Sequence, residues 1–144
     1  KTVSIIGQIR TFNKHDEDKT RVLMHIFVRN IEIVDENTND NKLLLSGFLC
    51  KPPNYRTTPS GREITDIILA VNRAYGKSDY IPCICWGRNA RFVNEFNIGE
   101  KLSVYGRLQS RKYHKQIDID RMEEKTAYEI SVITVQNYGS SSLN

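Results

Sequence analysis

Tryptophan occurs once in the 144 residues, proline four times and cysteine three times, and no apolar run approaches the length of a membrane span. Three cysteines cannot all pair with one another. Cys83 and Cys85 lie two apart on one face of a strand, which points to reduced, buried thiols in a cytoplasmic protein. A C-x-C spacing with no histidine nearby is a poor metal site, and His15 and His25 have no second ligand at useful spacing. Asp118, Asp120, Glu123 and Glu124 sit in a polar stretch and read as solvated acids rather than a divalent-cation site. The sequence shows no Ser/His/Asp set, phosphate-cradling lysine loop, dinucleotide fingerprint or zinc motif. An enzyme is therefore not expected, nor is a cofactor or a metal. A basic start followed by an apolar stretch, the mark of a secretory signal, is lacking. An initiator methionine is lacking too, and Lys1 is expected to lie inside a longer native chain.

What is present is globular: 39% apolar and 26% charged residues, enough for one domain with a real core and an appendage. The net charge of +4 is unevenly placed. Residues 1–41 hold six basic and seven acidic side chains, so the whole positive excess lies in residues 42–144. A polyanionic partner for that later part follows as an expectation.

Thr57–Tyr75 organises the rest. Pro59 and Gly61 make a turn. Ile64, Asp66, Ile68, Ala70 and Asn72 then alternate with Thr65, Ile67, Leu69, Val71 and Arg73. A strand apolar on both faces at its centre is buried and bent, as in a small closed barrel, and its end from Asn72 to Tyr75 emerges at the rim.

Around this strand the chain reads in order. Val3–Arg10 and Arg21–Val34 form a hairpin about a polar loop, Asn13–Lys19. Asp35–Asn41 contains nothing apolar and is the main boundary. Lys42–Cys50 is a glycine-broken strand, and Lys51–Arg56 is a loop on account of two prolines. Tyr80–Trp86 is a strand, Arg88–Phe96 the one helical candidate, Lys101–Tyr113 a strand, His114–Lys125 a polar loop and Thr126–Val135 the last strand. The domain reading is a hairpin at 1–36, a linker at 37–41, a barrel at 42–137 and a flexible tail at 138–144. The fold class is all-β with one short helix. Five strands with a helix between the third and fourth give the order of the OB-fold, a Greek-key barrel that binds oligonucleotides, here preceded by an extra β-hairpin.

Aromatic and basic side chains sit together along this order. Tyr55 adjoins Arg56; Tyr75 lies beside Arg73 and Lys77; Trp86 beside Arg88 and Arg91; Tyr113 beside Arg111, Lys112 and Lys115. Single-strand binding needs flat π surfaces for unstacked bases and a cationic track for phosphates. Arg73, Lys77, Arg88, Arg107, Arg111 and Lys112 are the cations expected near phosphates. Each pair alone also fits a basic stem lying over an ordinary aromatic, and Trp86 between strand and helix also fits a core position.

The residues LLLSGFL, TPSG, ILAVNRAY, CWGRNA, IGEKLSVYGRLQSRKY and YEISVITV occur in this order from Asn41 to Val135. On them the chain resembles the bacterial single-stranded DNA-binding proteins. The resemblance implies an OB-fold and assembly of several barrels into a homo-oligomer, dimer or tetramer. It implies sequence-tolerant binding of single-stranded DNA in replication, recombination or repair, in the cytoplasm at the nucleoid and without membrane contact. It implies stacking positions at Tyr75, Tyr80, Trp86 and Tyr113. RNA is left open as a ligand. The family's long tail with an acidic tip does not appear in the sequence, which puts docking of replication and repair proteins in doubt. A reading of another class is a protein-docking or assembly OB module, such as a primosome-type adaptor.

The first hairpin looks like a repeat. Val3–Thr11 can be laid over Leu102–Ser110 with serine and glycine in register, and Ile26–Val34 over Ile130–Tyr138. It resembles the closing strands of a preceding OB-fold; an ordinary hairpin matching by β-composition is the plainer alternative. A half barrel has edges that must be covered. Packing on the barrel or on another subunit is expected through Val3, Ile5, Ile9, Ile26, Val28 and Ile31.

Overall fold

A computed structural model of the chain describes residues 1–16, 19–35 and 39–137, with the side chains of residues 16 and 19–21 outside that description. Strands β1 (Thr2–Asp16) and β2 (Lys19–Val34) form a sheet of their own. The strands β3 (Leu43–Leu49), β4 (Asn54–Thr57), β5 (Glu63–Asn72), β6 (Ser78–Trp86), β7 (Lys101–Asp118) and β8 (Arg121–Asn137) form a second sheet, ordered β3-β7-β8-β6-β5-β4. Helix α1 (Arg88–Val93) links β6 to β7, and a 3-10 turn at Ala74–Gly76 links β5 to β6.

The second sheet closes on itself because β3 also pairs with β5, Phe48 opposite Ala70 and Leu49 opposite Leu69. β6 and β8 run parallel, with Cys83 beside Ile130; the other pairings are antiparallel. The result is the expected five-stranded Greek-key OB barrel, with β4 as a short extra edge on β5.

Strand alternation places the core. Leu45 and Leu49, Thr65, Ile67 and Leu69, Ile81, Cys83 and Cys85, Leu102 and Val104, Ile130 and Val132 all point inward. Ala90 and Val93 of α1 close one end, where the Thr65 hydroxyl donates to the Ala90 carbonyl at 2.7 Å. Each such aliphatic side chain fully removed from water contributes about 1.5–3 kcal/mol.

Four expectations need correction. The stretch read as a loop at Lys51–Arg56 supplies β4, because both prolines stay ahead of Asn54 and leave its pairing with Asp66 intact. The stretch His114–Lys125 is not a loop: β7 and β8 run on as a two-stranded arm. Water solvates both faces of that arm, so polar residues serve as well as apolar ones. Its turn is confined to Ile119 and Asp120, where the Asp120 N–H donates to Asp118 Oδ1 at 3.0 Å. The first hairpin is likewise longer than read, with Asp16 opposite Lys19. Helix α1 ends at Val93 rather than Phe96, and the Phe92 and Phe96 rings meet edge-on at 4.8 Å.

Residues 36–38 of the linker, the tail 138–144, and Glu17 and Asp18 lie outside the described residues. Asn41, read as linker, is tied down. Its amide donates to the Leu108 carbonyl at 2.8 Å and accepts the Leu108 N–H at 2.9 Å.

Of the six residues expected to pack the hairpin, Ile9 alone is buried, in the core cluster with Met24 against it. Val3, Ile5, Ile26, Val28 and Ile31 stay exposed. The remaining attachment is polar. The Thr11 N–H donates to Asp79 Oδ1 at 2.8 Å, and the Thr11 hydroxyl accepts the Tyr80 N–H at 3.0 Å.

Candidate nucleic-acid interface

The register decides which side chains share the outer surface of the barrel. On β6 these are Tyr80, Pro82, Ile84 and Trp86, paired with Ala70, Ile68, Asp66 and Ile64 of β5. Arg56 of β4 stands opposite Ile64. Ser131 of β8 lies beside Ile84, and through it the outer face continues to Arg107, Gln109, Arg111 and Tyr113 of β7, opposite Ser131, Glu129, Ala127 and Lys125. Ile64 and Ile84 are buried although they lie on this face and outside the core cluster.

Tyr80, Trp86 and Tyr113 therefore share one face, while Tyr75 stands at its rim. Tyr75 is fully exposed and has a left-handed backbone, φ 68°, inside a turn closed by the Arg73 N–H donating to the Lys77 carbonyl at 2.6 Å. A non-glycine residue held there costs about 1 kcal/mol or more, and such strain concentrates at functional turns. Trp86 is half-buried, with the Arg62 guanidinium 4.4 Å from its ring. Arg62 was not among the residues the sequence singled out. No local pattern points to it: the contact arises from strand pairing, Arg62 lying two positions before Ile64, the partner of Trp86.

The cations divide into two groups. Arg73 Nε lies 2.9 Å from Asp79 Oδ2, a close ion contact whose N–H is not aligned on the oxygen. Asp79 is wholly buried, so Arg73 holds the rim turn. Arg56 pairs with Asp66 at 3.0 Å. Arg111 grips Glu129 with two hydrogen bonds, 3.0 and 3.2 Å, while Gln109 donates to the same carboxylate at 2.9 Å. The Glu129 hydrogen bonds hold the Arg111 pKa above its ordinary value. Lys112 stands 3.7 Å from Glu124 on the side of the arm opposite Tyr113. Lys77, Arg88 and Arg107 are exposed and make no ion pair among the described residues.

The expected pair Tyr55 and Arg56 is split between opposite faces of β4. The Tyr55 hydroxyl donates to Glu63 Oε2 at 2.7 Å, and Glu63 also pairs with Arg91. The Tyr55 bond lowers the Glu63 pKa and raises that of Tyr55.

A closed five-stranded Greek-key barrel of this strand order defines an OB domain. A model of the single-strand binding protein family matches residues 40–138, and the chain belongs to that family. It is 42% identical over 83 residues to single-stranded DNA-binding protein 1 of Staphylococcus aureus (strain COL), a match covering 53% of this chain and 50% of that protein. Over 83 residues it is 39% identical to single-stranded DNA-binding protein A of Bacillus subtilis (strain 168), covering 53% and 48%. The chain thus spans about half the length of the curated relatives it matches. A crystal structure of a deletion mutant of the single-stranded DNA binding protein from Thermus aquaticus superposes with a TM-score of 0.75 at 19% identity, over 94% of this chain and 59% of that one. The wild-type structure from the same organism gives 0.68 at 23% identity, over 94% and 58%. At these identities the likeness is one of fold.

Proposed function

We propose that this chain binds single-stranded DNA without catalysis and largely without regard to sequence, protecting it during replication, recombination or repair. The observation that carries this reading is the alignment of Tyr80, Trp86 and Tyr113 on one outer face, with Tyr75 fully exposed at its rim. Every base has a π-face, so stacking on such rings tolerates any sequence. The unpaired Lys77, Arg88 and Arg107 supply the phosphate contacts. The names of the Staphylococcus and Bacillus relatives and the family match support the same ligand. Arg56, Arg73 and Arg111 shape the face through their carboxylate partners rather than by meeting phosphate.

Trp86 is the one tryptophan, so it reports binding directly. Titration with a thymine 30-mer quenches its fluorescence saturably on this account. An unquenched Trp86 together with no mobility shift of the oligomer contradicts it.

Assembly into a homo-oligomer belongs to the same proposal. The outer face of β3 and β7 supports it: Leu44 is 76% exposed, beside Ser46, Ser103 and Tyr105.

A further inference from the structure

Among the described residues of β1 and β2, Ile9 and Thr11 alone are buried. Ile9 joins the core cluster, whereas Thr11 is polar and lies against the start of β6. There β6 has β5 along one edge, with Ser78 opposite Asn72 and Tyr80 opposite Ala70, but β8 pairs with it only at Cys83 and Ile84. Ahead of that pairing, Thr11 supplies the hydrogen bonds. Its N–H donates to Asp79 Oδ1 at 2.8 Å, and its hydroxyl oxygen accepts the Tyr80 N–H at 3.0 Å.

A carboxylate with no exposed surface must find its partners inside the protein. Asp79 finds them on two elements. β1 brings the Thr11 N–H to Oδ1, and the rim turn brings Arg73 Nε to 2.9 Å from Oδ2. The backbone of the same Arg73 closes the turn, its N–H donating to the Lys77 carbonyl at 2.6 Å. Across the base of the turn, the Ser78 hydroxyl donates to Asn72 Oδ1 at 2.9 Å. Tyr75 stands inside this turn with φ 68°. A left-handed tyrosine persists only where its surroundings enforce it. Its own ring is fully exposed and packs on nothing, so the constraint lies in the turn and in Arg73. Arg73 is in turn placed by the carboxylate that Thr11 holds.

We propose that Thr11 is a positioning residue for single-strand binding. Through Asp79 and Arg73 it sets the turn that presents Tyr75, and through the Tyr80 N–H it sets a second stacking ring. The first hairpin thereby contributes to affinity without touching the strand. This inference rests on the strand-binding reading above.

The test uses the full chain. Thr11→Val removes the hydroxyl but keeps the branched shape, with Thr11→Ala in its place if valine unfolds the protein; Thr11→Ser keeps the hydroxyl. Loss of the hydroxyl is expected to weaken binding of a thymine 30-mer roughly fivefold, part of what losing stacked rings costs. Thr11→Ser stays within about twofold of the parent, because the hydrogen bond is retained. The salt slope is the same in all, since no phosphate contact is removed. In a chain carrying Tyr75→Ala and Tyr80→Ala, Thr11→Val costs nothing further, as coupled residues require. Without any strand present, the Arg73 amide exchanges about tenfold faster in Thr11→Val, while β5 amides keep their protection and report a folded barrel.

Unchanged affinity, or unchanged Arg73 exchange, overturns the proposal. So does an equal loss in the chain lacking both rings, which general loosening of the fold would produce. A flatter salt slope overturns it as well, because Thr11 then lies in the path of the strand. A chain whose Arg73 exchange responds but which binds no 30-mer in any form overturns the strand-binding reading instead.

Discussion

Tyr75 joins backbone strain to full exposure, and the two have opposite consequences. Asparagine tolerates the left-handed region better than tyrosine. Tyr75→Asn is expected to raise Tm by about 2–4 °C, because the strain is relieved. It is also expected to weaken single-strand binding roughly tenfold, because a stacking ring is lost. Calorimetry and the fluorescence titration read the two effects on one sample. The buried thiols give a second expectation at this scale. Burial pushes Cys83 well above its ordinary range and Cys85 from 9.0 to about 12. An unfolded thiol ionises near its ordinary value while the folded one stays neutral. Stability is therefore whole below pH 9 and falls as pH rises toward about 12 for Cys85, with a limiting slope of about 1.4 kcal/mol per pH unit for each thiol. Urea unfolding at several alkaline pH values checks the slope. Cys83→Ala with Cys85→Ala, weaker at neutral pH through lost packing, lacks that component.

Among elements, β6 does most to set the site. Its outward side chains carry Tyr80 and Trp86, and its first buried residue, Asp79, holds both the rim turn and the first hairpin. Asp79→Asn leaves Arg73 largely buried without its counter-charge while keeping an oxygen for the Thr11 N–H. Breaking a buried pair in this way costs about 3 kcal/mol. Urea unfolding measures it, and a loss below about 1 kcal/mol would show the pair to be solvated. The strands of the barrel proper were legible because their alternation reflects a wet face and a dry one. Ile64–Asn72 reads correctly because apolar residues on both faces of its centre mark a buried strand, and Gly61 at its turn reads correctly from its turn chemistry. The arm from His114 to Lys125 was illegible for the converse reason. With water on both faces its strands need no pattern, and only Ile117, Ile119 and Met122 break the polarity, each exposed. β4 escaped notice because four exposed residues after two prolines carry no periodic signal. Side-chain facing was the other limit. Arg111, Lys112 and Tyr113 are adjacent in sequence, yet pairing sets Lys112 on the far side. No local pattern announced that Glu129 would take up Arg111.

Over the whole molecule, the count of 21 basic side chains overstates what is free to meet a polyanion. Arg56, Arg73 and Arg111 are bound to Asp66, Asp79 and Glu129, which leaves Arg107 on the face, Lys77 in the rim turn and Arg88 at the start of α1 without an ion pair among the described residues. Assembly is to be read at the same scale. Leu44→Glu is expected to lower the mass seen by light scattering, and an unchanged mass would remove the β3–β7 face from the contact. The division of cations is tested by the salt dependence of affinity for a thymine 30-mer. Each phosphate neutralised on a single strand contributes a slope of about −0.7 in log K against log[salt]. Lys77→Gln, Arg88→Gln and Arg107→Gln combined should flatten that slope by about 2 while the fold persists. A slope unchanged by the three substitutions would contradict the assignment of this face to single-stranded DNA.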